Sequence, residues 1–214
     1  MHIEFLVEEP SAEAALRNIV PKIVGKDATF DVHPFQGRDD LEKQLPKRLK
    51  GYSQWLPADW RIVILVDKDD DECHQLKNRL EAIARNANLI TKSSVPAGAA
   101  FQVMNRLAIE ELEAWFLGDV EAIRKAYPRI SASLTHKAKY RNPDAVRGGT
   151  KEALHRELNR AGYHPSGVPP IDTARKISAH MDPERNMSKS FQVFRDGLRE
   201  LIRMNGCSPL QSPR

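Results

Sequence analysis

Arg61-Ile62-Val63-Ile64-Leu65-Val66-Asp67-Lys68-Asp69-Asp70-Asp71-Glu72 is the stretch that decides the fold. Its first half is nearly continuous Ile, Val and Leu, the pattern of a central parallel strand buried on both faces. Its second half places four aspartates within five residues directly behind that strand. In a parallel sheet the carboxyl ends of the strands share one edge, and that edge is where such folds bind ligands. The stretch therefore predicts both the kind of sheet and the place to look for chemistry.

Working outward, residues 2–7 form a β-rich run that ends in Glu8-Glu9. Pro10-Ser11 then opens a helix, with Ser11 as the expected N-cap and Ala14, Ala15, Leu16, Ile19 and Val20 as its apolar face. Residues 30–35 read as a second strand. Leu41, Leu45 and Leu49 recur every four residues, which predicts a helix over 39–50 broken at Pro46 or starting after it. A further helix turns Leu76, Leu80 and Ile83 inward, and 89–91 and 102–108 are further strand candidates. Strands alternating with helices predict an α/β fold with a mostly parallel sheet flanked by helices.

The chain has 214 residues, long enough to bury a core without disulfides or a structural metal. Its charge is segregated. Residues 1–120 carry 15 Lys and Arg against 20 Asp and Glu, whereas residues 121–214 carry 18 against 9. The expected organisation is an α/β domain over 1–120, a basic, mainly helical C-terminal part over 121–207, and a disordered tail at 208–214. The basic part comprises helices near 151–161, 173–181 and 190–204 and a Pro- and Gly-containing loop region over 128–150. An acidic part beside a basic one suits a metal-bearing core next to an anion-binding surface.

Several classes are excluded or disfavoured. No apolar run approaches the roughly 18–20 residues of a membrane span, and Met1-His2-Ile3-Glu4-Phe5 lacks the features of a signal peptide. Two cysteines, Cys73 and Cys207, build neither a disulfide framework nor a thiolate zinc site. The expectation is a cytoplasmic protein. There is no GxxxxGK[ST] loop, no G-x-S-x-G elbow and no dinucleotide fingerprint. His33, His74, His136, His155, His164 and His180 are scattered without an i, i+4 pair, so histidine spacing announces no metal site.

The acidic strand ends remain. Asp67 and Asp69 leave an extended chain on the same face, and Glu8 ends another strand. Carboxylates that converge repel one another and call for a cation, and hard oxygen ligands favour Mg²⁺ or Mn²⁺. Asp70 and Asp71 fit better as acids at the positive end of the next helix. In Glu110-Glu111-Leu112-Glu113, Glu110 and Glu113 share a helix face, and Glu113 is a candidate further ligand or a charge that orients Trp115. The segment Lys137-Ala138-Lys139-Tyr140-Arg141 interleaves cations with an aromatic, as phosphate contacts with base stacking require, or it is a solvated loop. The Gly148-Gly149-Thr150-Lys151 turn could bring backbone amides to an anion at a helix start.

Glu8 at the end of one strand and Asp67-Lys68-Asp69 at the end of another resemble the Toprim pattern of topoisomerases, primases and some bacterial nucleases. A closer resemblance is to a Toprim-like bacterial family known as domain of unknown function 4276. It rests on Leu6-Val7-Glu8-Glu9-Pro10-Ser11, on Val63-Ile64-Leu65-Val66-Asp67-Lys68-Asp69 and on Ile109-Glu110-Glu111-Leu112-Glu113-Ala114-Trp115. A fainter echo is Ser190-Phe191-Gln192-Val193-Phe194. The resemblance implies that Asp67 and Asp69 bind the divalent cation and that Glu8 is a general acid/base or a further ligand. It departs at Glu9, where a small residue is usual and a longer acid would crowd a phosphate.

The expected function is Mg²⁺-dependent phosphodiester chemistry on nucleic acid, as a nuclease of a defence or repair system. Asp67, Asp69 and Glu113 would hold the metal, Glu8 would be catalytic, and Lys137, Lys139, Tyr140, Arg141 and Lys151 would contact nucleic acid. The alternative, favoured by Glu9, is a non-catalytic interaction subunit that works with a separately encoded ATPase.

Overall fold

The computed structural model describes residues 1–68 and 72–206, apart from the side chains at 135, 136, 205 and 206. Asp69, Asp70, Asp71 and the tail at 208–214 lie outside the described residues. The chain runs β1 (His2–Val7), α1 (Pro10–Val24), β2 (Thr29–Pro34), α2 (Arg38–Trp55), β3 (Trp60–Asp67), α3 (Cys73–Asn86) and β4 (Val103–Ala108). It continues through α4 (Glu113–Leu117), α5 (Val120–Ala126), α6 (Thr150–Arg160), α7 (Pro170–His180) and α8 (Lys189–Gly206).

The four strands lie in the order β2-β1-β3-β4, all parallel. Alternation along β1 sends Ile3, Phe5 and Val7 into a large core shared with α1, α5, α7 and α8. Leu6, with Ile62, Ile64 and Val66 of β3, joins a second core under α2 and α3. The connection from β1 leads to β2 on one side, and the connection from β3 leads to β4 on the other. The strand order therefore reverses between β1 and β3, the place at which sheets of this kind bind ligands. Glu8 and Asp67 stand at the carboxyl ends of these two strands.

Three sequence expectations change. Residues 89–91 make a single bridge, Thr91 to Val103, rather than a strand. Leu89 and Thr91 are buried and Ile90 is half-exposed, but only Thr91 pairs with β4, so no fifth strand continues there. Helix α2 is unbroken from Arg38 to Trp55 with Pro46 inside it. Pro46 faces solvent while Leu41, Leu45, Leu49 and Tyr52 form one buried stripe, and that burial outweighs the missing backbone donor. Glu9, not Ser11, occupies the N-cap position of α1, with Pro10 at its first turn and the Ser11 hydroxyl donating to the Glu9 carboxylate.

Residues after 120 share the core of the sheet. Trp115 is fully buried, with its ring 4.8 Å from Phe194 and 5.3 Å from Phe191 of α8, and its indole N–H donates to Ser190 Oγ at 3.0 Å. Asp144 sits at the start of α8 and accepts from the Ser188 and Ser190 hydroxyls at 2.7 and 2.8 Å. Asp119, also buried, accepts two bonds from Arg185 at 2.7 and 2.9 Å. No helix among the described residues is long and apolar enough to cross a membrane.

Trp115→Ala removes the side chain on which the N- and C-terminal parts meet and is expected to cost about 3–5 kcal/mol. Urea denaturation of the variant checks this; a loss below about 1 kcal/mol would show that α8 is held by other contacts.

Candidate functional site

The site is built from the four strand ends and the helices that start beside them. Glu8 follows β1 directly. Its Oε2 accepts from the backbone N–H of Asp67 at 3.2 Å and from Arg38 Nε at 3.0 Å. Arg38 also donates to the Asp67 carbonyl. Arg38 is placed there by Gly37, which holds φ at +95°, a backbone conformation that glycine adopts without steric cost. Both members of the Glu8–Arg38 pair are largely buried, so the guanidinium balances the carboxylate where water cannot.

On the β4 side, the backbone N–H of Lys68 donates to Ala108 O at 2.8 Å, which ties the acidic turn to the end of β4. Lys68 Nζ lies 4.0 Å from Glu110 Oε1. Glu110 itself has φ +64°, an uncommon value for a residue with a side chain. That left-handed residue turns the chain from β4 toward α4 and α6.

Glu111 Oε2 accepts from the backbone N–H of Lys151 at 2.9 Å and from Thr150 Oγ1 at 3.0 Å. The anion expected at the start of this helix is thus a carboxylate of the chain itself. Gly148 and Gly149, both with φ near +80°, make the turn that brings α6 onto it. Glu113 opens α4 and is buried. Burial raises its pKa to about 7, with Glu111 and Glu9 adding repulsion against the partial relief from Lys151. Burial alone would lower the Lys151 pKa, but Glu113, Glu111 and Glu9 raise it. One turn along α6, burial and the Lys151 charge lower the His155 pKa, which favours a neutral imidazole.

The structure thus brings Glu8 to the Asp67 backbone and Glu113 to Lys151, while Asp69 lies outside the described residues. Arg38 joins Glu8, and Glu9, Glu111 and His155 join the Glu113–Lys151 group, none of them assigned to the site from the sequence. The signal for Arg38 was its position one residue past a glycine at the end of a strand-turn. For His155 it was the i, i+4 spacing from Lys151.

The basic segment sits elsewhere. Lys137 and Lys139 bond to the two Glu157 oxygens at 2.7 and 3.0 Å, and the Tyr140 hydroxyl donates to Glu157 Oε1 at 2.8 Å. Burial works against the Glu157 charge, but those donors hold its pKa down at about 2. Tyr140 is buried rather than offered for stacking on a base. Arg141 is exposed.

The chain belongs to the family described as a domain of unknown function, DUF4276, whose match runs over residues 7–199. No curated protein matches, and no solved structure matches. The matched range includes Glu8, Asp67, Glu113, Lys151 and the Phe191 and Phe194 that pack on Trp115.

Glu113→Gln is expected to stabilise the protein above neutral pH. The folded-state pKa lies above the unfolded value near 4.3, so the acid form stabilises below that value and the effect is lost as pH rises through about 7. The amide removes the cost of a buried charge, so the gain is small at pH 4.5 and grows to about 3–4 kcal/mol by pH 8. Thermal denaturation of both proteins across that range measures it; a gain that does not change with pH would contradict the assignment.

Proposed function

We propose that the chain hydrolyses phosphodiester bonds of nucleic acid with a divalent cation, Mg²⁺ or Mn²⁺, as a nuclease of a defence or repair system. Asp67, Asp69 and Glu113 would hold the cation. The observation that carries the reading is Glu113, a buried carboxylate in the repulsive field of Glu111 and Glu9 at the carboxyl edge of a parallel sheet. Glu8, Glu9, Asp67, Glu111 and Glu113 offer only oxygen donors, the kind of group that a hard cation takes. A cation there would supply charge neutralisation at the phosphate and a more acidic water.

The chain's own groups have distinct tasks. Glu8 would accept the proton of the attacking water or return it to the leaving oxygen. The water oxygen bonds to phosphorus as the P–O ester bond breaks, and the departing alkoxide takes up a proton. Lys151, held beside Glu113 by the start of α6, would meet a non-bridging phosphate oxygen. The exposed Arg141 and Arg147 would add contacts to the backbone that carry no sequence information.

A second reading, a non-catalytic interaction subunit of a separately encoded ATPase, is favoured by one observation. Arg38 already neutralises Glu8, which leaves that carboxylate less need of a cation.

Incubation of the chain with single- and double-stranded DNA and RNA in Mn²⁺ or Mg²⁺ tests the first reading. Cleavage by the wild type, reduced about 100-fold or more in a folded Asp67→Ala variant, is the expected result. Equal cleavage by the variant, or none by the wild type, overturns it, and metal binding without cleavage favours the second reading.

A further inference from the structure

At the opposite end of β1, the pairing of β1 with β2 places four metal-type side chains on one face of the sheet. His2 lies across from Thr29, Glu4 from Asp31 and Leu6 from His33. Because side chains alternate along a strand, His2, Glu4, Asp31 and His33 all turn toward α2, away from Ile3, Phe5 and Val32. Glu4 is buried, although a carboxylate at the middle of a sheet face is costly without compensation.

His2 Nε2 lies 3.4 Å from Glu4 Oε1 and 3.7 Å from Asp31 Oδ2. It is buried yet has no hydrogen-bond partner. The three ligand atoms lie within 4.8 Å of one another, and the two separations from His2 are close to the edge of a tetrahedron with bonds of about 2.0–2.2 Å. The supporting contacts are those of a metal-binding histidine and carboxylate. His2 Nδ1 is hydrogen-bonded to Thr29 Oγ1 at 2.8 Å, and donation in that direction leaves the lone pair on Nε2. Glu4 Oε2 accepts from the Tyr52 hydroxyl at 3.1 Å and is also met by His33 Nε2, which leaves Oε1 for the third partner. Trp60 covers the His2 ring at 4.1 Å, and Trp55 lies against Trp60, so one wall of the site is apolar.

We propose that His2, Glu4 and Asp31 bind a borderline divalent transition-metal ion of the zinc or cobalt class. The imidazole nitrogen separates this site from an all-oxygen Mg²⁺ site, and the mixed N,O set with a histidine oriented by a hydroxyl is the chemistry such ions select. The buried, unpartnered His2 nitrogen is the electron pair the ion would take. Asp31, exposed on its outer side, is the ligand that can move to close the shell.

The test uses the untagged full chain titrated with Co²⁺, followed by visible absorption, with Zn²⁺ added in competition. A visible Co²⁺ band that saturates with one ion at this site and is displaced by Zn²⁺ is expected, whether or not a second ion occupies the carboxyl edge. His2→Gln and Asp31→Asn should each weaken it at least tenfold with circular dichroism unchanged, and Asp67→Ala should leave it as it is. Asp31 is a half-exposed strand residue, so its variant folds even if a change at His2 disturbs the packing on Trp60. Absence of a Co²⁺ band, unchanged affinity in the folded Asp31→Asn protein, or loss of binding in Asp67→Ala instead would overturn the proposal. The last outcome would place the ion at the carboxyl edge and leave the reading of that edge intact.

Discussion

Carboxylates crowded into a space with limited water must be balanced, and the carboxyl edge of this sheet is organised around that requirement. The reversal of strand order between β1 and β3 puts Glu8 beside the Asp67 backbone. The chain leaving β4 then brings Glu111 and Glu113 to the same edge. Each acid draws its own compensation. Arg38 meets Glu8, Lys68 approaches Glu110, and the first turn of α6 meets Glu111. Glu113 is left with the least relief, and the imbalance shows as a carboxyl group that keeps its proton close to neutral pH.

That balance is what joins the two parts of the chain. Residues beyond 120 return to the sheet with α8, whose Phe191 and Phe194 pack on Trp115, two residues past Glu113. They also return with α6, whose start supplies Lys151 and the amide that holds Glu111. Packing and electrostatics thus fix the same short stretch from opposite sides. The positive charge of the second part is partly internal as well. Glu157 gathers Lys137, Lys139 and the Tyr140 hydroxyl, so those side chains hold the loop region onto α6.

The sheet was legible because its determinants are local. The apolar run of β3 and the acids behind it specify a buried parallel strand with a charged end, and Glu8 follows from the same pattern in β1. Glu113 was legible only as one of two residues on a helix face, since its burial depends on α6 and α8. Contacts across long separations left no local trace. Arg38 reaches Glu8 across 30 residues, and Lys137 meets a glutamate 20 residues on, so a cationic run gave no sign that its charge was already matched. The grouping of His2 and Glu4 with Asp31 and His33 was hidden for the same reason. Each pair has the two-residue spacing of one strand face, but only the register of β1 on β2 sets the pairs side by side. Pro46 shows the converse, where burial of one helix face outweighs a local preference.

The central claim is that Glu113 marks an acidic edge waiting for a cation. Its side-chain carboxyl carbon, followed by NMR through a pH titration, measures this directly. The account predicts titration near pH 7 without divalent cation and a midpoint displaced well below that in saturating Mg²⁺, because a bound cation favours the ionised form. A midpoint near the ordinary value for glutamate that does not respond to Mg²⁺ would contradict it.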